Sequence, residues 1–554
     1  MIEARINKDK MVFIKGLTQD PGLSFLKKSK KSDWYYSSFY WLDDIRKSLN
    51  ISISIPELAP FEKKFLSTTR ILQEGAVYST DVFDKMFAIP LWESQKHAAS
   101  VMAYAGRFII LDLCGLGKSA STLGALMILF AKQKIKNVLI VTTASTIYQW
   151  KLEIRKFLKE EYHSLYPIQI IEGSRAERIQ ALSNLQAINI IGYESLVRTF
   201  PFEFSPALDC VVTDEQWKIK NWKTKTWRTL KQIFRDTLYR FGLNASPIGN
   251  NYTELFGPVD LIDPAIFVSW RNFKDRYCVT SMAQYPIIKR GKFAGMTRPI
   301  LQITGYKNIN DLKRRMASFS LRRIPKQMGW KTPQLVTTNR WVELSKEQRC
   351  AYNSIRNSRE LDGLAKIVRT KIVCLFDSSN PIDNTVKFIE LKSFVLNEVP
   401  DEKIVVFSES KMYLEAVFNY LYKLGVKTRI ISSEVTNKDR ERIKGEFSET
   451  SNVRVLLCTA AGETGLNLQA ANIVVNLDLP YNAERLKQRI GRVRPYLGGE
   501  GRRILVVNIL ARNTIEEKVI EKIQYKVNLF SKLFGQDQID LGDMFKPEEL
   551  IKLL

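Results

Sequence analysis

The 554-residue sequence has no apolar run long enough to span a bilayer; stretches such as GALMILFA have the length of a buried strand or helix. Its start, MIEARINKDK, lacks the apolar segment of a secretory signal. The six cysteines are scattered without a C-x-x-C pair, which argues against zinc sites and against a disulfide framework. No internal repeat or low-complexity tract is visible. These absences leave a soluble, intracellular protein of a reducing compartment as the expectation.

Acid is also scarce relative to base: 58 Asp and Glu stand against 84 Lys and Arg, a formal net charge of +26. A polyanionic partner follows naturally, because each neutralised phosphate releases condensed counterions and adds affinity. Solubility alone is the plainer explanation of the same charge. Hydrophobic residues at 45% and charged residues at 26% match a folded protein, and the length requires two or three domains.

From about residue 81 the chain alternates short apolar runs with helical stretches. RFIILDL, NVLIVTT, INIIGY and CVVTDE form one group of predicted strands; KIVVFSE, TRIIS, VRVLLCT, NIVVNLD and RILVVNI form another. Runs apolar on both faces and followed by amphipathic segments predict buried parallel strands with crossover helices. Two tandem doubly wound α/β domains are therefore expected, at residues 81–335 and 336–554, the first carrying a helical and basic insertion. Residues 1–80 read as a separate small α+β module.

LDLCGLGKSAST follows the strand RFII and carries Gly115, Gly117, Lys118 and Ser119. Such glycines let backbone N–H groups cradle phosphate oxygens where a helix begins. Lys118 is expected on the β- and γ-phosphates of ATP and Ser119 on Mg2+. A glycine turn between strand and helix explains the loop equally well in isolation, but a partner lies about one hundred residues on. There CVVTDE ends in Asp214 and Glu215, suited to holding Mg2+ and activating water respectively. In ERLKQRIGRVRP, Arg492 is the candidate arginine finger, with Gln488 beside the phosphates.

These motifs, in this order, resemble those of superfamily-two helicases, and in detail the SWI/SNF-type branch of duplex DNA translocases. LWESQ, with Gln95, resembles an adenine-reading glutamine motif. TTASTIYQWKLEIRKF and IGYESLVR are similar to DNA-strand motifs, and LNASPIGNNYTELF to a coupling motif. The resemblance covers roughly residues 85 to 535. It implies two RecA-like lobes with helical insertions, and ATP gripped by the first lobe and reached by Arg492 of the second. It also places Gly465 near the nucleotide and Ser145, Gln149, Arg198, Arg322, Arg323, Ser408 and Thr459 on DNA.

The segment joining the lobes is similar to that of annealing helicases, and the leading module resembles the HARP domain and the substrate-selecting domain of UvsW-like phage branch-migration enzymes. Lys28 and Trp34, in a lysine-rich stretch running into DWYYSSFYW, are its candidate DNA contacts; a core of aromatics with solvated lysines explains the same pattern. The resemblance thus implies an ATP-driven motor that remodels forks and Holliday-type junctions, and the compact length points to a phage source. Displacement of bound protein from duplex DNA and nucleotide-gated binding without turnover stay open. Several positions depart from the family: Trp217 stands where a histidine is usual, Pro495 where a second arginine is usual, Asp112 where the phosphate loop has a glycine, and Asn244-Ala245-Ser246-Pro247 where TGTP is expected.

Overall fold

The computed structural model describes residues 3–6, 11–15, 27–28, 35–38, 68, 71–72, 75, 77 and 79–534, the last range without 114, 201–205, 246, 249–250, 287–296, 329–330, 332, 377–381, 450–452, 463–467 and 495–500. The chain divides into two compact units, Met1–Asp112 with Gly117–Arg322, and Leu113–Leu116 with Arg323–Leu554.

The first unit opens with four short strands, β1 (Glu3–Ile6), β2 (Met11–Lys15), β3 (Lys27–Lys28) and β4 (Tyr35–Ser38), paired antiparallel in the order β1-β2-β4-β3. Its main body is a seven-stranded parallel sheet. The strands are β5 (Arg107–Ile110), β6 (Val138–Thr142), β7 (Ile168–Ile170), β8 (Ile188–Gly192), β9 (Cys210–Thr213), β10 (Tyr239–Leu243) and, after an antiparallel hairpin of β11 (Cys278–Pro286) and β12 (Thr297–Tyr306), β13 (Ser320–Leu321). Their order is β13-β5-β10-β9-β6-β8-β7. Strands β6, β8 and β9 are buried along their whole length, as expected of β-branched runs that meet helices on both faces.

The second unit holds a six-stranded parallel sheet of β14 (Gln334–Val342), β15 (Ile404–Phe407), β16 (Thr428–Ile431), β17 (Val455–Cys458), β18 (Ile473–Asn476) and β19 (Arg503–Ala511), ordered β14-β19-β18-β15-β17-β16. Separate apolar clusters fill its two faces: Val405, Leu456 and Val474 point into one, Ile404, Val455 and Val475 into the other. Alternation along neighbouring strands produces this split. The expected fold class, two RecA-like parallel α/β bodies with inserted helices, is what the chain adopts.

All nine strands expected from their apolar runs are present. β10 and β14 were not foreseen, because YRFGL carries an arginine and a glycine, and QLVTTNRWV alternates polar with apolar on a partly exposed edge. Arg240 nonetheless lies buried in β10, its Nε donating to the Thr237 carbonyl at 2.8 Å. Among the described residues no helix is long and apolar enough to cross a membrane.

Candidate nucleotide and DNA site

In open parallel sheets, ligands gather beyond the carboxyl ends of the strands, and the sequence-predicted residues of the first unit lie there. The chain leaves β5 through Asp112 and a loop in which Gly115 and Gly117 have φ of 86° and 74°. It then enters helix α2 (Lys118–Ala131); helix α1 (Glu93–Ala105) precedes β5. Gly117 is doubly constrained. Its φ is unfavourable for a side chain, and an added Cβ would lie 2.1 Å from Gln95 Nε2. Gln95, buried at the start of α1, accepts the Trp92 amide at 3.0 Å and lies against this loop. Lys118 Nζ donates to the Asp112 carbonyl at 3.0 Å, which turns the ammonium back over the loop.

Asp214 follows β9, two strands away from β5, and is held by three chain segments. Its Oδ2 accepts the Trp150 indole N–H at 2.9 Å and the Thr142 hydroxyl at 3.2 Å; its Oδ1 accepts the Glu215 amide at 2.9 Å. Its backbone carbonyl accepts the Tyr193 hydroxyl at 2.7 Å. Glu215 has φ 54° and ψ 55°, a left-handed conformation that costs a non-glycine residue on the order of 1 kcal/mol. That turn sends the chain straight into a short 3-10 helix, Gln216–Ile219.

A second carboxylate faces this region. Glu153, on helix α3 (Ile147–Phe157), is hydrogen-bonded to Ser119 and Gln149. Burial and the charge of Asp214 push its pKa up, more than the hydrogen bonds from Gln149 and Ser119 pull it down. A buried carboxylate whose proton affinity is raised by a second carboxylate nearby, beside a serine and a lysine, belongs to a donor set that a divalent cation would relieve. Residues and chemistry therefore fit Mg2+ and a polyphosphate.

Of the residues expected on DNA in this unit, Ser145 and Gln149 are exposed at the start of α3, and Arg198 is exposed near the end of helix α4 (Tyr193–Thr199). Arg322 is half-buried. Trp217 is 41% exposed with Lys218 Nζ 5.0 Å from its ring centroid. Gln216 takes the inward position instead: wholly buried, it donates to Thr213 Oγ1 at 2.9 Å and packs on Gly242 of β10. Lys220 Nζ meets Glu254 at 3.0 Å, linking the segment that follows Asp214 and Glu215 to the YTEL segment before helix α5 (Phe256–Ile262). Sequence reasoning missed Gln216 because a glutamine is not distinctive where it stands.

In the second unit, Gln488 and Arg492 are half-buried on helix α6 (Ala483–Val493). Arg489 between them is fully buried and donates to Asn476 Oδ1 at 3.1 Å and to the Asp478 carbonyl at 2.8 Å. Arg494 is buried as well, its guanidinium on the Pro333 carbonyl at 3.3 Å. Three of the residues expected on DNA have inward-facing side chains in this unit. Ser408 is fully buried and donates to Asp478; Thr459 is buried with its hydroxyl 3.5 Å from the Ile431 carbonyl; Arg323 is buried. The Ser408 hydroxyl, expected on DNA, is engaged here by Asp478, which lies beside the buried Arg489 and accepts its hydrogen bond. Lys28 lies in β3 with its side chain outside the described residues, and Trp34 and Gly465 lie wholly outside them.

The model of the SNF2-related domain matches residues 94–387, and that of the helicase conserved C-terminal domain matches residues 386–495. An uncharacterised ATP-dependent helicase of Bacillus subtilis, YqhH, is 25% identical over 475 residues, covering 78% of this chain and 77% of its own. A second such helicase, from Mycoplasma pneumoniae, is 24% identical over 461 residues, but the match spans 80% of this chain and only 42% of its own. The ISWI chromatin-remodeling complex ATPase ISW1 of Saccharomyces cerevisiae is 23% identical over 477 residues, 78% of this chain and 39% of its own. Among solved structures, a Sulfolobus solfataricus SWI2/SNF2 ATPase core in complex with dsDNA is 22% identical, covering 84% of this chain and 97% of that one at a TM-score of 0.38. With its SNF2-related domain spanning more than half of its length and a helicase C-terminal domain behind it, the chain belongs to the SNF2-related family, as an ATP-dependent helicase core with ATPase chemistry.

Proposed function

We propose that this protein hydrolyses ATP to move along double-stranded DNA and that it acts on branched substrates, regressing forks and migrating junctions. The observation that carries the motor reading is the convergence, at the carboxyl ends of β5 and β9, of a constrained glycine loop with Lys118 and of Asp214 with Glu215. On this reading Gly115, Gly117 and Lys118 bind the phosphates, and Gln95 sits by the base. Ser119 and Asp214 hold Mg2+, which when bound neutralises the phosphate charge. Glu215 orients the attacking water. Gln488 and Arg492 are assigned to the transferring phosphoryl group, an arginine being suited because it keeps its charge.

Exposed Ser145, Gln149 and Arg198 are the proposed backbone contacts, and the net charge of +26 supports a polyanionic track with little sequence preference. The preference for branches rests on the resemblance of residues 1–80 to substrate-selecting modules and on the lysine and aromatic content there. Protein displacement from duplex DNA is the competing task.

ATPase rates measured with single-strand, duplex, forked and four-way DNA test the reading. Forks and four-way junctions should stimulate more than plain duplex, and Lys118→Ala should abolish turnover. Equal stimulation by plain duplex would move the assignment to protein displacement, and no turnover on any DNA would remove the motor.

A further inference from the structure

Both segments expected to touch a DNA strand also place one side chain on Asp214. Ser145, just before helix α3, and Gln149, near its start, are exposed, yet the helix buries Trp150, 3% exposed. Successive helical residues are turned by about 100°, so Gln149 and Trp150 serve different faces of one rigid rod. Helix α4 repeats the arrangement, with Arg198 exposed and Tyr193 only 1% exposed.

The buried partners are unusual. A buried indole N–H or phenol O–H needs an acceptor, since leaving it unmet costs about 1–3 kcal/mol, and any backbone carbonyl would do. Trp150 instead donates to the Asp214 carboxylate, 64 residues away, at 2.9 Å. Tyr193 donates to the carbonyl of that same residue, 21 residues away, at 2.7 Å. Thr142, on the strand that leads into α3, is the third donor, and its hydroxyl is tied at 2.6 Å to Thr146 at the start of that helix. Oδ2 thus carries two donors and Oδ1 one, so the rotation of the carboxylate is set by α3 and the strand before it, while α4 holds the backbone of the same residue.

We infer that Trp150 and Tyr193 are positioning residues through which duplex engagement acts on Asp214. This rests on the proposed reading that the outer ends of α3 and α4 meet the phosphate backbone. A contact that shifts either helix moves its inner donor, and with it the carboxylate proposed to hold Mg2+. Hydrogen-bonded partners of this kind set the orientation and basicity of metal ligands.

The test uses the full chain with Trp150→Phe and Tyr193→Phe, which remove one N–H or O–H and keep the ring. Three quantities are read: duplex affinity by fluorescence anisotropy without nucleotide, the gain in ADP affinity on adding Mg2+, and the ratio of ATPase rates with and without duplex. Wild-type duplex affinity is expected in both variants, with a smaller Mg2+-dependent gain in ADP affinity. The stimulation ratio should fall about tenfold or more, the scale on which partners of metal ligands act. Thermal midpoints measured alongside identify a variant that has lost its fold, and because the two residues lie on different helices each gives an independent reading. Variants stimulated as strongly as wild type would overturn the inference while leaving the motor intact. A wild-type protein that no DNA stimulates would instead overturn the functional reading beneath it.

Discussion

Lys387 Nζ lies 2.7 Å from Glu516 Oε1, and neither side chain reaches solvent. Glu516, near the start of the last described helix (Ile515–Phe534), also accepts the Ala511 amide at 2.7 Å, and Lys387 also donates to the Leu477 carbonyl at 2.6 Å. The pair therefore fastens that helix to β18 and β19. Lys387→Met strands a buried carboxylate, a change that typically costs about 3–5 kcal/mol. Denaturant unfolding should show that loss, and the double variant Lys387→Met with Glu516→Gln should recover much of it.

Asp311 gathers Arg276 at 2.8 Å, Tyr277 at 2.7 Å, Arg314 at 2.8 Å and Arg315 at 3.1 Å. Burial works against its charge, but hydrogen bonds from Arg276 and Tyr277 and the charge of Arg315 overcome that, holding its pKa well below the usual range. A depressed carboxylate contributes fully above its unfolded value of about 3.9 and loses that contribution as pH falls toward the folded value. Stability from this group should thus be flat from neutral pH to about pH 4 and decline in stronger acid. Asp311→Asn should be less stable at pH 7, by about 1.5–3 kcal/mol, with a shallower acid limb in thermal scans.

Gly242 has Gln216 against its α-carbon; an added Cβ would meet the amide nitrogen at 2.2 Å. Gly242→Ala should cost about 1–3 kcal/mol by overpacking, and Gln216→Ala in the same chain should relieve part of it. A double-mutant cycle by chemical denaturation measures that coupling; strict additivity would mean that the contact is energetically idle.

Arg492 and Arg494 stand two residues apart with different surroundings, half-buried against fully buried. Arg492→Ala should lower ATPase kcat by about 10³-fold or more, the scale of an arginine finger, at an unchanged melting temperature. Arg494→Ala should mainly destabilise, by about 1–3 kcal/mol, through loss of its bond to the Pro333 carbonyl. Melting curves and steady-state rates on both variants separate the two roles.

Much of this was readable along the chain because the signals are local. VLIVT, IVVF and IVVN are apolar on both faces, and only a strand inside a helix-covered sheet uses such a run. GLGKS joins a strand to a helix within a few residues, so its geometry follows from glycine alone. What stayed hidden depends on contacts between distant segments. The tie from Trp150 to Asp214 has no local signature, and neither does the inward turn of Gln216, which leaves Trp217 outside. Ser408 is a further case: a serine after a strand reads as a surface hydroxyl, and its buried hydrogen bond to Asp478, 70 residues on, has no local signal.

The left-handed backbone at Glu215 sets folding preference against chemistry at one position. Glycine adopts that conformation without a steric penalty, whereas glutamate does not. Any enrichment of variants for heat resistance alone will therefore favour substitutions that ease this residue, and the hardiest survivors will be those that have given up the general base proposed there.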